Sequence, residues 1–101
     1  MADRLAAIGK VEPFHYFRIG MDAMQRQDYK AARDMFRKEI ARAPYNDEFH
    51  YWLGLAYQRL GEQAAAHEQM ALAIKYSSTT ANRSTYASKL ERLRSIRGTT
   101  M

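Results

Sequence analysis

The chain repeats itself at an offset of 34 residues, and a period of that length restricts the fold more than any other feature of the sequence. Gly20 recurs as Gly54, Ala31 and Ala32 as Ala65 and Ala66, and Ile40 as Ile74. The pairs Phe17/Tyr51, Ile19/Leu53, Met21/Leu55, Phe36/Met70, Asp28/Glu62 and Asp34/Glu68 are alike in kind. These positions fall at helical intervals, so the unit is a pair of helices joined by a tight turn. One such hairpin cannot bury its apolar face alone, which predicts that successive hairpins stack.

The local signals agree with an all-α chain. Pro13 suits the first position of a helix whose stripe is Phe14, Phe17, Met21 and Met24 and which ends near Gln27. Asp28 is placed to cap a second helix over about 29–42, with Ala32, Met35, Phe36 and Ile40 on its apolar side and Pro44 as its stop. Asn46 is placed to cap a third, with Asp47 and Glu48 in the first turn where the helix dipole favours acids, running to about Leu60 before Gly61. A fourth over about 62–76 carries Ala66, Met70, Ala73 and Ile74. The polar residues Ser77, Ser78, Thr79 and Thr80 then precede a fifth, marked by Tyr86, Leu90, Leu93 and Ile96 and ending at Gly98. Residues 2–8 add a short helix through Leu5 and Ile8, stopped by Gly9. Gly20 and Gly54 read as points of close approach between the helices of a hairpin, opposite Ala32 and Ala66, which offer only a methyl group.

The second unit carries Leu53, Gly54, Tyr57, Gly61, Ala66, Met70 and Ala73, and the first carries Ile19, Gly20, Tyr29, Ala32, Phe36 and Pro44. In this pattern the chain resembles the tetratricopeptide repeat family, whose unit pairs a helix carrying W-x2-L-G-x2-Y with one carrying A-x3-F-x2-A and then proline. Departures are Tyr16 and His50 at the tryptophan slot, Ala23 at the tyrosine slot, Glu39 at the later alanine and Ser78 at the closing proline. The resemblance implies antiparallel hairpins stacked as a short right-handed solenoid of about five helices in a single domain. Residues 1–12 form an N-terminal segment, 13–46 and 47–80 the two repeats, and 81–98 a capping helix. It assigns Gly20, Ala32, Phe36, Gly54, Tyr57, Ala66 and Met70 to packing within the repeats.

Catalysis and metal binding find no support in the sequence. His15, His50 and His67 lie on three different helices, and His50 falls at a packing slot, where a core or hairpin-interface histidine is expected rather than a ligand. His15 and His67 are expected to face solvent. There is no glycine-rich phosphate loop, and the absence of cysteine removes thiolate zinc sites and thiol nucleophiles. The expectation is a non-enzymatic protein with no cofactor and no metal. No run approaches the roughly 18 apolar residues of a membrane span, and Met1 to Lys10 lacks a signal-peptide core, so a cytoplasmic location is expected.

The first and third helices are apolar on two sides rather than one, and ten of the 12 aromatic residues lie between Phe14 and Tyr57. Tyr16, Ile19, Gly20 and Ala23 suit the hairpin partner in the first helix, as Phe49, Leu53, Ala56 and Leu60 do in the third. A second stripe is left over. In the family the first helices of successive units line a concave groove, and the resemblance places Phe14, Phe17, Arg18, Met21, Met24, Tyr51, Trp52, Leu55 and Arg59 there. Its expected occupant is a helix or apolar peptide of a partner protein; the alternatives are residues 1–11 folding back, through Leu5, Ile8 and Val11, and a second copy of the chain. Family members that grip a terminal carboxylate use lysines, asparagines and an arginine where this chain has Phe17, Met21, Trp52, Asn82 and Tyr86, so that recognition is not expected.

The net charge of +5 invites a different reading, a basic helical module for nucleic acid or an acidic surface. Residues 1–80 carry 11 Lys/Arg against 10 Asp/Glu, whereas residues 81–101 carry five against one. The excess therefore belongs to the last helix, where Arg83, Lys89, Arg92, Arg94 and Arg97 flank the apolar seam instead of forming one stripe. That arrangement ranks nucleic acid below a protein partner.

Overall fold

A computed structural model describes residues 12–99 of the chain. Among the described residues there are five helices and no strand: α1 (His15–Gln25), α2 (Tyr29–Arg42), α3 (Asp47–Arg59), α4 (Gln63–Tyr76) and α5 (Thr80–Thr99). Each packs chiefly on its neighbours in sequence, so α1/α2 and α3/α4 form hairpins, α2 meets α3, and α5 lies on α4. The helix expected at residues 2–8 falls outside the described residues. No described helix is long and apolar enough to cross a membrane.

The repeat is legible in the turns down to single hydrogen bonds. Gln27 and Gly61, 34 residues apart, both adopt left-handed backbone, with φ of 62° and 81°. The amide after each reaches back to the helix it has left, Asp28 N–H to Ala23 O at 2.8 Å and Glu62 N–H to Tyr57 O at 2.9 Å. Gln27 N–H donates to Met24 O and Gly61 N–H to Gln58 O, both at 3.0 Å, which completes the same C-terminal motif twice. The expected caps form at two helix starts. Asp28 Oδ1 accepts from Ala31 N–H at 3.2 Å, and Asn46 Oδ1 accepts from Glu48 and Phe49 N–H at 3.0 and 3.3 Å.

The start of α1 differs from the sequence expectation. Pro13 lies in a turn, and Phe14 takes φ 67° and ψ 12°, which no helical residue adopts, so the helix begins at His15 and ends at Gln25 rather than near Gln27. Phe14 offers no side-chain cap. The cap comes from another helix: the carboxylate of Glu39, on α2, accepts from Phe17 N–H at 2.9 Å and pairs with Arg42 Nη1 at 3.0 Å. Glu39 is only 2% exposed. A residue that departs from the family pattern thus closes the first hairpin at its open end, satisfying an amide that every helix start leaves unpaired.

Two apolar cores result. The first joins Ala23 of α1 and Ala32 and Phe36 of α2 to Leu53 and Ala56 of α3. Leu53 and Ala56, expected in the α3/α4 hairpin, thus pack at the junction between hairpins. The second joins Met70 and Ala73 of α4 to Tyr86 of α5. Gly20 approaches Phe36 rather than Ala32: a Cβ at Gly20 would stand 2.5 Å from Phe36 Cε1. At Gly54 the nearest atoms are Met70 Cε at 3.1 Å and Ala66 O at 3.4 Å. The small residues Ala32 and Ala66 are fully buried, as expected, but it is the side chain four residues further on that sits against the glycine. Ile19, assigned to the hairpin, is instead 41% exposed.

Candidate groove across α1, α3 and α5

The starts of α1 and α3 meet through aromatic rings. The rings of Phe14 and Phe17 are 5.8 and 5.1 Å from that of Phe49, and Phe17 also lies 5.8 Å from Phe36. Helix α5, which packs on α4, also reaches the head of α3. Tyr86 Oη donates to Asp47 Oδ2 at 2.8 Å, Asn82 reaches the same oxygen, and the rings of Tyr51 and Tyr86 are 4.9 Å apart. Burial, together with the bond to Asp47, raises the Tyr86 hydroxyl far above its ordinary pKa.

The structure distributes the nine predicted groove residues over three roles. Phe17 is a packing residue: it fills the space between Phe36 and Phe49, and its amide is held by Glu39. Met21, Met24 and Trp52 lie half-buried against the first core, and Tyr51 and Leu55 half-buried against the second, with Tyr51 edge-on to Trp52 at 5.4 Å. Phe14, Arg18 and Arg59 are exposed. Arg18 pairs with Glu12 at 2.7 Å, both side chains being well exposed, so the pair adds little to stability. What remains open is a strip of part-covered Met, Trp and Leu side chains that crosses α1 and α3.

Among the residues assigned to repeat packing, Gly20, Ala32, Phe36, Gly54, Ala66 and Met70 are buried and Tyr57 is half-buried against the first core. His50 sits at the packing slot expected of it. It is 4% exposed, with Nε2 2.7 Å from Pro44 O and Nδ1 2.7 Å from Gln69 Oε1, and its ring lies 5.6 Å from that of Tyr76. The expectation of solvated histidines needs correction at both other positions. His15 is half-buried with its ring 5.0 Å from that of Tyr16, and His67 is half-buried with Nε2 shielded from solvent and no described hydrogen-bond partner. Among the described residues no group of three or more His, Asp or Glu side chains is arranged to hold a metal ion.

Sequence reasoning missed one small cleft of about 210 Å3, where Pro13 and Phe14 face Glu39, Arg42, Asn46 and Phe49. Its signal lay in Glu39, a carboxylate where the second unit has Ala73. No family model matches the chain, and no curated protein and no solved structure matches it either.

Proposed function

We propose that this chain is a non-enzymatic interaction module of the tetratricopeptide repeat kind, an adaptor or assembly protein that holds a helix or apolar peptide of a partner against α1, α3 and α5. The observation that carries this reading is the strip of Met21, Met24, Trp52 and Leu55, which stays part-open after both cores are complete. Methionine adapts to irregular shapes, and an aromatic ring contributes much contact area for little lost freedom, so such a strip suits a partner helix. The duplicated turn geometry at Gln27 and Gly61, and the duplicated approach of Gly20 to Phe36 and Gly54 to Met70, support the repeat assignment. A cytoplasmic location belongs to the same proposal.

The test replaces Met21 and Leu55 with glutamine, which keeps side chains of comparable size and makes their ends polar. Proteins captured by the wild type should be lost by the variant, while helical circular dichroism and the melting temperature stay close to the wild type. Retention of the same proteins, or collapse of the fold, would mean that these side chains serve internal packing alone. Sedimentation velocity on both forms separates a foreign partner from a second copy, since a dimer held by this strip would dissociate in the variant.

A further inference from the structure

We infer that the occupant of the groove carries carboxylate side chains beside its apolar face, because the wall formed by the end of α3 and by α5 is cationic. This inference rests on the groove reading above. The rotation of α5 is fixed by its contacts: Asn82 and Tyr86 reach Asp47 at the head of α3, whereas Arg83 Nε reaches Ser77 Oγ at the end of α4, at 3.2 Å. Lys89 follows Asn82 by seven residues, two helical turns along the same side, and Arg92 is one turn further on. Both therefore lie on the side of α5 turned away from α4 and toward the groove. Arg94, 11 residues after Arg83, shares the α4 side with it.

On α3, Arg59 is exposed and follows Trp52 and Leu55 at spacings of seven and four, which places it on the face of the strip. Among the described residues, Arg59, Lys89 and Arg92 have no ion-pair partner; Asp22, Glu39, Glu62 and Glu91 are paired, and the exposed Glu48, three turns back from Arg59 at the head of α3, is not. Asp47 accepts from Tyr86, Asp22 pairs with Arg26, and Glu91 faces Arg94. An apolar strip bordered by three free cations attracts a segment with acids on its flank and repels one with lysines there. The groups recognised are side-chain carboxylates along a helix, not a chain terminus.

The probes are two synthetic amphipathic helical peptides with the same leucine and phenylalanine stripe, one flanked by glutamate and the other by lysine. Trp52, the sole tryptophan, reports occupancy through its emission. At low salt the glutamate peptide should bind roughly fivefold tighter or better than the lysine peptide, with the difference shrinking as salt rises. Replacing Arg59 and Lys89 together with glutamate should reverse the order, and Arg37→Glu on α2, away from this wall, should leave it unchanged. Equal binding of the two peptides, or tighter binding of the lysine peptide, would overturn the inference while leaving the groove reading in place. Failure of both peptides to move the Trp52 emission would overturn the groove reading and the inference with it.

Discussion

The two glycines of the repeat occupy equivalent positions but should respond differently to the same substitution. At Gly20 an added Cβ would stand 2.5 Å from Phe36 Cε1 and 2.7 Å from Cδ1. Phe36 is fully buried and its ring is backed by Phe17 at 5.8 Å, so it has no room to swing away. Overpacking of this kind costs about 2–3 kcal/mol, and alanine returns about 1 kcal/mol through its better helix propensity. Gly20→Ala should therefore destabilise by about 1–2 kcal/mol, or roughly 5–15 °C in Tm for a domain of this size. At Gly54 the obstacle is Met70 Cε at 3.1 Å, the end of a flexible side chain that need shift only a few tenths of an ångström. Gly54→Ala should lie between neutral and about 0.5 kcal/mol stabilising. Urea unfolding with m held constant measures both. A double-mutant cycle isolates the cause: Phe36→Met gives the first unit the side chain of the second, and in that background Gly20→Ala should lose its cost, a coupling of about 1.5 kcal/mol. Equal effects at the two glycines, or an unchanged cost of Gly20→Ala beside Met at position 36, would refute the contact as the reason.

Four further substitutions test contacts at the ends of the helices. Glu39→Ala restores the residue that the second unit has at Ala73, yet it should destabilise by about 2 kcal/mol by thermal or urea unfolding, because Phe17 N–H loses its acceptor. Gln27→Gly relieves a left-handed backbone that Gly61 adopts freely and should stabilise by about 0.5–1 kcal/mol, with Gly61→Gln costing a similar amount, both read from urea midpoints. Tyr86→Phe removes the bond to Asp47 and should cost about 1–2 kcal/mol at neutral pH. The same substitution alters the alkaline limb of stability. The folded chain holds the Tyr86 hydroxyl above its ordinary value of about 10, so its contribution is fully present below about pH 10 and is lost as pH rises beyond that; the phenylalanine variant should show a shallower decline between about pH 10 and 12.

The fold was readable because the signals that fix it are local. Asp28 and Asn46 cap within three residues of themselves, the turn after each first helix closes on carbonyls of that helix, and the period of 34 then repeats the hairpin. What was misread depends on partners distant in sequence. Nothing near Phe14 announces that α1 will be capped by Glu39, 22 residues beyond Phe17, and without that acceptor Pro13 is the natural place to begin the helix. Likewise the spacing of Leu53 and Ala56 shows that they are buried but not against which helix.

The groove was harder to read for the same reason, since one apolar residue can face either a core or a partner. Phe17 and Met21 belong to one stripe in the sequence, spaced four apart, and that spacing cannot separate them. The structure does so through Phe49, whose ring lies 5.1 Å from that of Phe17, whereas Met21, one turn further along α1, is half-buried against the core that holds Leu53 and Ala56. The strip thus opens only after the first turn of each helix, where the phenylalanines end. From there its chemistry passes from Met21 and Trp52 to Leu55 and then to Arg59 and Lys89, apolar at one end and cationic at the other. A partner that fitted only the apolar end would bind equally well with any flanking charge, so the charge preference measured with the two peptides, rather than the affinity of either, shows whether the whole strip acts as one site.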